Sequence, residues 1–167
     1  MNNQPRIKAK AFGQKFALTL EACSELNKRE NSLEHAVVIE LAKANDDNTF
    51  DWLNKLNFKL LSHEMPLLAG VFLGFLPDYK IIRPANKSIE FVRQLGATNG
   101  KPGTYYVKAF ESGQLYSLPL LPGHGAKMAM IVLHQLAKND EGTFDDAFVI
   151  AAVRSACKLH YDRSPDS

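Results

Sequence analysis

From Met65 to Phe75 the chain reads MPLLAGVFLGF, and a helix drawn through it is apolar on nearly every side. A helix of that kind has no face to offer to water, so it must be buried all round. The residues before it follow a different period. Trp52, Leu56, Phe58 and Leu60, with Asn54 among them, fall on one face of an extended strand, and Leu53, Lys55, Asn57 and Lys59 fall on the other. The simplest solution is a half-buried sheet with a basic outer face, followed by a buried helix that Ser62 caps and whose early Pro66 is tolerated.

The same order runs through the whole chain. Ile7 to Phe12 and Lys15 to Ala22 read as strands broken at Gly13 and Gln14, with Phe16, Leu18 and Leu20 on one face of the second strand. Residues 23–34 are polar and read as an exposed loop, and His35 to Lys43 returns as a strand with Val37, Ile39 and Leu41 inward. Asn45-Asp46-Asp47-Asn48 makes a turn before the Trp52 strand. In the second half, Tyr79 to Pro84, Lys87 to Gln94, Thr104 to Phe110 and Leu115 to Leu121 read as four more strands, and Ala126 to Lys138 as a second largely apolar helix. Thr143, with Asp146, marks the start of a further amphipathic helix running to about residue 160. The predicted fold class is α+β, with two antiparallel four-stranded sheets, each followed by an apolar helix, and an added C-terminal helix. One domain spans residues 1–167, with units at about 6–76 and 79–138 and the extra helix at about 143–160.

Composition narrows the function by exclusion. A net charge of +2 is too small to announce a polyanionic partner, so any attraction to phosphate has to come from local clusters of lysine. Cys23 and Cys157 stand far apart without metal-ligand spacing, which indicates buried thiols in a reducing compartment. The N-terminal residues lack the apolar run of a signal peptide, and Pro66, Gly70, Gly74 and Pro77 interrupt the longest apolar segments. The chain reads as soluble and intracellular, in cytoplasm or nucleoid, a transit peptide removed beforehand being left open. The five histidines show no metal spacing, and the loop GATNGKPG at 96–103 lacks the Gly-Lys-Ser/Thr ending of a phosphate loop, so no metal, cofactor or small-molecule substrate is implied.

Phe50-Asp51-Trp52, followed by Lys55, Phe58, Leu60 and Glu64, resembles without a gap the aromatic-Asp-Trp, Lys, Phe, Leu, Glu pattern of Whirly proteins, where it closes the first sheet and opens the first long helix. Lys8-Ala9-Lys10-Ala11 resembles the Lys-Gly-Lys-Ala opening of a second family motif, with Ala9 in place of the glycine and Phe12-Gly13 in place of Ala-Leu. A basic N-terminal arm gives the same pattern. The resemblance implies two antiparallel sheets packed across one another, a cyclic homotetramer with the helices at its centre, and binding of single-stranded DNA. Beyond Gly142 the chain departs from the family, and in another register the last helix is the family's second and 126–138 the insertion.

Tyr106, Lys108 and Phe110 alternate onto one strand face, where bases stack on rings and an ammonium meets phosphate, and Lys15, Lys55 and Lys59 hold the equivalent place in the first half. An ordinary solvated sheet face has the same alternation, and the resemblance tips the reading towards binding with little sequence preference. The expected nucleic-acid contacts are therefore Lys8, Lys10, Lys15, Lys55, Lys59, Tyr106, Lys108 and Phe110. The two apolar helices ask for more cover than one chain of this size offers, which places Leu68, Phe72, Met130 and Leu133 at an interface between copies. Trp52 and Phe58 read as core. Ser62-His63-Glu64 is better explained by helix capping than by catalysis, and His124, in LPGHG before a helix, lacks a second acid or base nearby. The expected protein is not an enzyme. The alternatives are a protein-binding scaffold of the same fold and an RNA-binding protein.

Overall fold

The period-2 alternation of the apolar residues does produce sheets, and the turns between them hold each strand beside its predecessor. The structure, a computed structural model, describes residues 7–96, 100–140 and 145–162. In it β1 (Lys8–Phe12), β2 (Phe16–Asn27), β3 (Ser32–Lys43) and β4 (Leu56–Lys59) are followed by α1 (Met65–Leu73). Then come β5 (Asp78–Arg83), β6 (Lys87–Gln94), β7 (Thr104–Glu111) and β8 (Gln114–Leu120), followed by α2 (Pro122–Asn139) and α3 (Asp146–Tyr161). Each set of four strands forms an antiparallel sheet in sequence order, as the alternation predicts. Phe16, Leu18, Leu20, Val37, Ile39, Leu41, Leu56 and Phe58 line the inner face of the first sheet, and Ile81, Ile89, Phe91, Val107, Ala109 and Leu118 that of the second.

The two units close on each other by exchanging helices. α1, which follows the first sheet, lies against β5 and β6 of the second, while α2, which follows the second, lies across β1, β2 and β3 of the first. The two helices also pack together, and α3 covers α1. Gly70 permits that last contact, because a side chain there would meet Cys157 Sγ at 2.1 Å. α1 ends at Gly74, whose φ of +81° is natural only to glycine. The helix predicted to need burial all round is thus enclosed by its own chain: Leu68 is 0% exposed and Phe72 6%. These two expected interface residues lie in the core, and the inference that α1 needs a second copy to cover it is corrected.

Other differences have local causes. Residues 23–34 are not a loop: β2 and β3 continue to Asn27 and Ser32 as a two-stranded arm beyond β1 and β4. Both faces of that arm meet water over much of its length, so its sequence lacks the alternation that marks a half-buried strand. Gln135 of α2, 1% exposed, ties it down by donating to the carbonyls of Cys23 and Ala36, and Asn139 brackets the backbone of His35 through two bonds of 2.7 Å. The fourth strand starts at Leu56, not at Trp52, because Phe50 bridges back to Ala44 and Asp51 N–H donates to Lys43, turning 45–55 into a loop. Trp52 is therefore half-buried among rings and not part of the core face, whereas Phe58 is core.

Ser62 does not cap α1; its hydroxyl donates to Glu34, and Glu64 is the cap residue. α2 begins a turn earlier than predicted, at Pro122, with His124 Nδ1 accepting from Leu121 N–H at 3.2 Å. α3 is capped by Asp145, whose carboxylate accepts from Phe148 N–H at 3.0 Å. Thr143 lies outside the described residues. No described helix is long and apolar enough to cross a membrane.

Candidate nucleic-acid interface

Register decides which side chains share the outer face of each sheet. On the second sheet, Glu90, Lys108 and Ser117 form one row across β6, β7 and β8, with Val92, Tyr106 and Pro119 on one side and Ser88, Phe110 and Leu115 on the other. Tyr106 and Phe110 are half-buried at their bases and Lys108 is exposed between them. Lys108 Nζ lies 5.8 Å from the centre of the Tyr106 ring. Among the described residues no carboxylate pairs with Lys108. The partner residues Tyr105, Val107 and Ala109 face inward as predicted, and the Tyr105 hydroxyl donates to the Phe72 carbonyl at 2.8 Å. Three of the expected contacts therefore stand together on one open face.

The first sheet has the same topology and a different surface. Lys8 and Lys10 project from the edge strand β1 opposite Glu21 and Thr19, and Lys15 is exposed in the turn that follows. Lys55 is bound to Glu40 at 2.7 Å, and that carboxylate also receives Thr19 Oγ1 at 3.4 Å and Asn57 Nδ2 at 3.3 Å. Lys59 is bound to Glu25, and this hydrogen bond raises the lysine's pKa. Lys55 and Lys59 are thus engaged with carboxylates, and the Lys55 pair borders a depression of about 460 Å³ lined by Glu21, Cys23, Val38, Glu40, Lys55 and Asn57. Burial pushes the Cys23 thiol up, so it stays protonated in the neutral range.

Sequence reasoning missed the device that joins the units. Arg83 of β5 reaches across to both carboxylate oxygens of Glu64 and to the Lys59 carbonyl at 3.2 Å. Burial works to raise the Glu64 pKa, but the Arg83 hydrogen bond and the Leu61 N–H outweigh it and hold the carboxylate below its usual range. Nearby, Lys87 pairs with Glu111 at 2.9 Å and lies 5.0 Å over the Phe58 ring. Only the spacing of Glu64 in the family-like pattern pointed here; nothing in the sequence indicated Arg83.

The residues considered for catalysis do not converge. Ser62 turns to Glu34 and Glu64 to Arg83, while His63 is exposed. Ser24 and His35, cross-strand neighbours in the arm, share a 2.7 Å hydrogen bond through His35 Nδ1 that the sequence reading did not anticipate. Among the described residues no group of three or more His, Cys, Asp and Glu is arranged to hold a metal ion. Of the expected interface residues, Met130 is 57% exposed on α2 and Leu133 is half-buried.

No protein-family model matches the sequence, and no curated protein matches it. Solved structures do match the fold. WHY1 from Arabidopsis thaliana shares 11% identity over 82% of this chain and 86% of that one, with a TM-score of 0.56. WHY3 from Arabidopsis thaliana shares 16% over 80% and 89%, with a TM-score of 0.56. The plant transcriptional regulator PBF-2 shares 13% over 86% and 99%, with a TM-score of 0.57. The chain has a Whirly-like fold, as the Phe50-Asp51-Trp52 pattern implied.

Proposed function

We propose that this protein binds single-stranded nucleic acid, with DNA as the expected partner and RNA as the alternative, without catalysis and with little sequence preference, as a homo-oligomer. The observation that carries the reading is the open row of Tyr106, Lys108 and Phe110 on β7. Residues two apart on a strand are about 7 Å apart and share a face. Two rings therefore flank one cation, an arrangement suited to bases splayed over the sheet with phosphate between them. Lys108 rests over Tyr106 in the free protein, and on binding it exchanges the ring for a phosphate while a base takes its place. Lys8, Lys10 and Lys15 supply further phosphate contacts. Lys55 and Lys59 contribute only by giving up Glu40 and Glu25. The Whirly-like fold, shared with the plant transcriptional regulator PBF-2, supports the same reading. Copies associate through exposed α2, where Met130 and Leu133 lie, and a tetramer is the expected assembly.

The test is a salt titration of binding to a short oligothymidylate by fluorescence anisotropy. Affinity should fall steeply with salt, and Lys108→Ala should lower the slope of log K against log salt by about 0.7 for the one phosphate contact removed. No binding at low salt overturns the proposal. A second reading, a protein-binding scaffold, draws on Ile82 and Leu115, 71% and 57% exposed beside Phe110 on the same face. A surface used that way holds its partner by apolar burial, and its affinity responds weakly to salt.

A further inference from the structure

Phe12 ends the edge strand β1 on the outer face of the first sheet and is 61% exposed. It does not close the core, because Phe16 and Tyr116 already do so at this end, their rings 5.3 Å apart across the two sheets and each 8% exposed. Phe12 instead begins a run of three rings outside the sheet. Its centroid is 5.7 Å from that of Phe50, which is 6.5 Å from that of Trp52, with the planes inclined at 42° and 53°. The run is held in place by backbone: Phe50 bridges to Ala44, Asp51 N–H donates to the Lys43 carbonyl at 2.9 Å, and Ala44 N–H donates to the Lys15 carbonyl at 2.8 Å.

Two lysines stand near the rings. Lys10 lies two residues before Phe12 on the same face, and the Lys15 carbonyl makes one of the backbone contacts just named; both are exposed and, among the described residues, neither is in an ion pair. The acids of the loop hydrogen-bond within it: Asp51 accepts from the backbone and side chain of Asn54, and Asp47 from the backbone and hydroxyl of Thr49, with Asp46 and Asp47 both exposed. An aromatic run with one exposed ring, two half-buried rings and cations at its rim has the chemistry of a base-stacking platform.

We infer that Phe12, Phe50 and Trp52 form a stacking shelf for unpaired bases, on a different sheet from Tyr106 and Phe110, so that one bound strand is held at two places. The inference rests on the strand-binding reading above and adds a subsite to it. Lys10 and Lys15 meet the phosphates on either side of the stacked base.

Trp52 is the single tryptophan of the chain, so its fluorescence reports on the shelf directly. The full chain is titrated with oligothymidylate while Trp52 emission and the anisotropy of a labelled oligonucleotide are followed together. Quenching of Trp52 with the same midpoint as the anisotropy is expected. Phe12→Ala should weaken binding on the order of tenfold with the salt slope unchanged, since a ring and not a phosphate contact is lost, and Phe12→Tyr should restore it. Trp52 emission unchanged at saturation, with Phe12→Ala binding as tightly as the parent, overturns the shelf and leaves strand binding standing. So does a Phe12→Ala protein of altered solution mass and unaltered affinity, which makes the rings a contact between copies. Failure of the parent protein to bind any oligonucleotide removes the strand-binding reading itself, and that outcome is visible before any variant is made.

Discussion

On β7 a lysine lies across the ring of Tyr106 with no carboxylate paired to it among the described residues, whereas on the first sheet Lys55 and Lys59 are held by Glu40 and Glu25. The two sheets have the same strand order and both present lysines outward, so composition alone makes them equivalent. Side-chain placement makes them different: Glu40 reaches Lys55 at 2.7 Å, whereas Glu90, the cross-strand neighbour of Lys108, makes no ion pair with it, and Lys108 lies over Tyr106 instead. A lysine's availability to phosphate thus depends on whether a neighbouring carboxylate reaches it, and not only on which residue stands across the ladder. The helices repeat the lesson. α1 is apolar all round and lies between the second sheet and two other helices, while α2 keeps one wet face and carries Gln135 and Asn139 to the arm.

Four experiments bear on that contrast. The largest effect is expected from Leu68→Asp, which puts an unpaired carboxylate into a fully enclosed site and should cost several kcal/mol, enough to abolish cooperative unfolding in urea. Met130→Asp, on the wet face of α2, should change monomer stability by about 0.5 kcal/mol or less. A Leu68→Asp protein that stays folded with a smaller solution mass makes α1 an interface and breaks the contrast between the helices.

Next comes the join between the units. Arg83→Ala leaves Glu64 alone in a site where it is 5% exposed, and should cost about 3 kcal/mol. The sign with pH is also defined. Glu64 is held below the usual carboxylate range, so in the parent the pair's contribution is complete above roughly pH 4–5 and is lost as pH falls through the folded value. In Arg83→Ala the lone buried carboxylate has a raised pKa, and stability should rise as pH falls. Denaturant midpoints measured from pH 7 to pH 3 separate the two, and parallel curves contradict the role assigned to Arg83.

The comparison of the sheets is sharpened by paired variants. Tyr106→Ala with Lys108→Ala should reduce affinity for an oligothymidylate on the order of tenfold to a hundredfold, and Lys55→Ala with Lys59→Ala only a few-fold at the same salt. Equal losses mean that the carboxylates yield to the strand and the sheets act alike. The smallest effect is expected from Glu40→Gln, which frees Lys55 and should raise affinity about twofold, in keeping with the small worth of a partly exposed ion pair. A decrease there assigns Glu40 a direct part in binding.

Much of the framework was legible because half-buried strands obey a period of two. Phe16, Leu18 and Leu20, then Val37, Ile39 and Leu41, then Val107 and Ala109 all face where their alternation put them. The arm at 23–34 was not legible, since a ribbon wetted on both sides lacks that pattern. The surface row of Tyr106, Lys108 and Phe110 could be read from one strand alone. The Arg83–Glu64 join and the run from Phe12 to Trp52 involve residues far apart in sequence, brought together by strand pairing and a loop bridge.

By itself the sequence determined the order of strands and helices, the inward face of each strand and the need to enclose Met65–Leu73, because these depend on short-range periodicity and on the cost of wetting apolar surface. Only the tertiary structure decided what encloses that helix and which lysines keep their charge available. The first follows from each unit lending its helix to the other's sheet and the second from which carboxylates reach a lysine across neighbouring strands, and no local pattern carries that information.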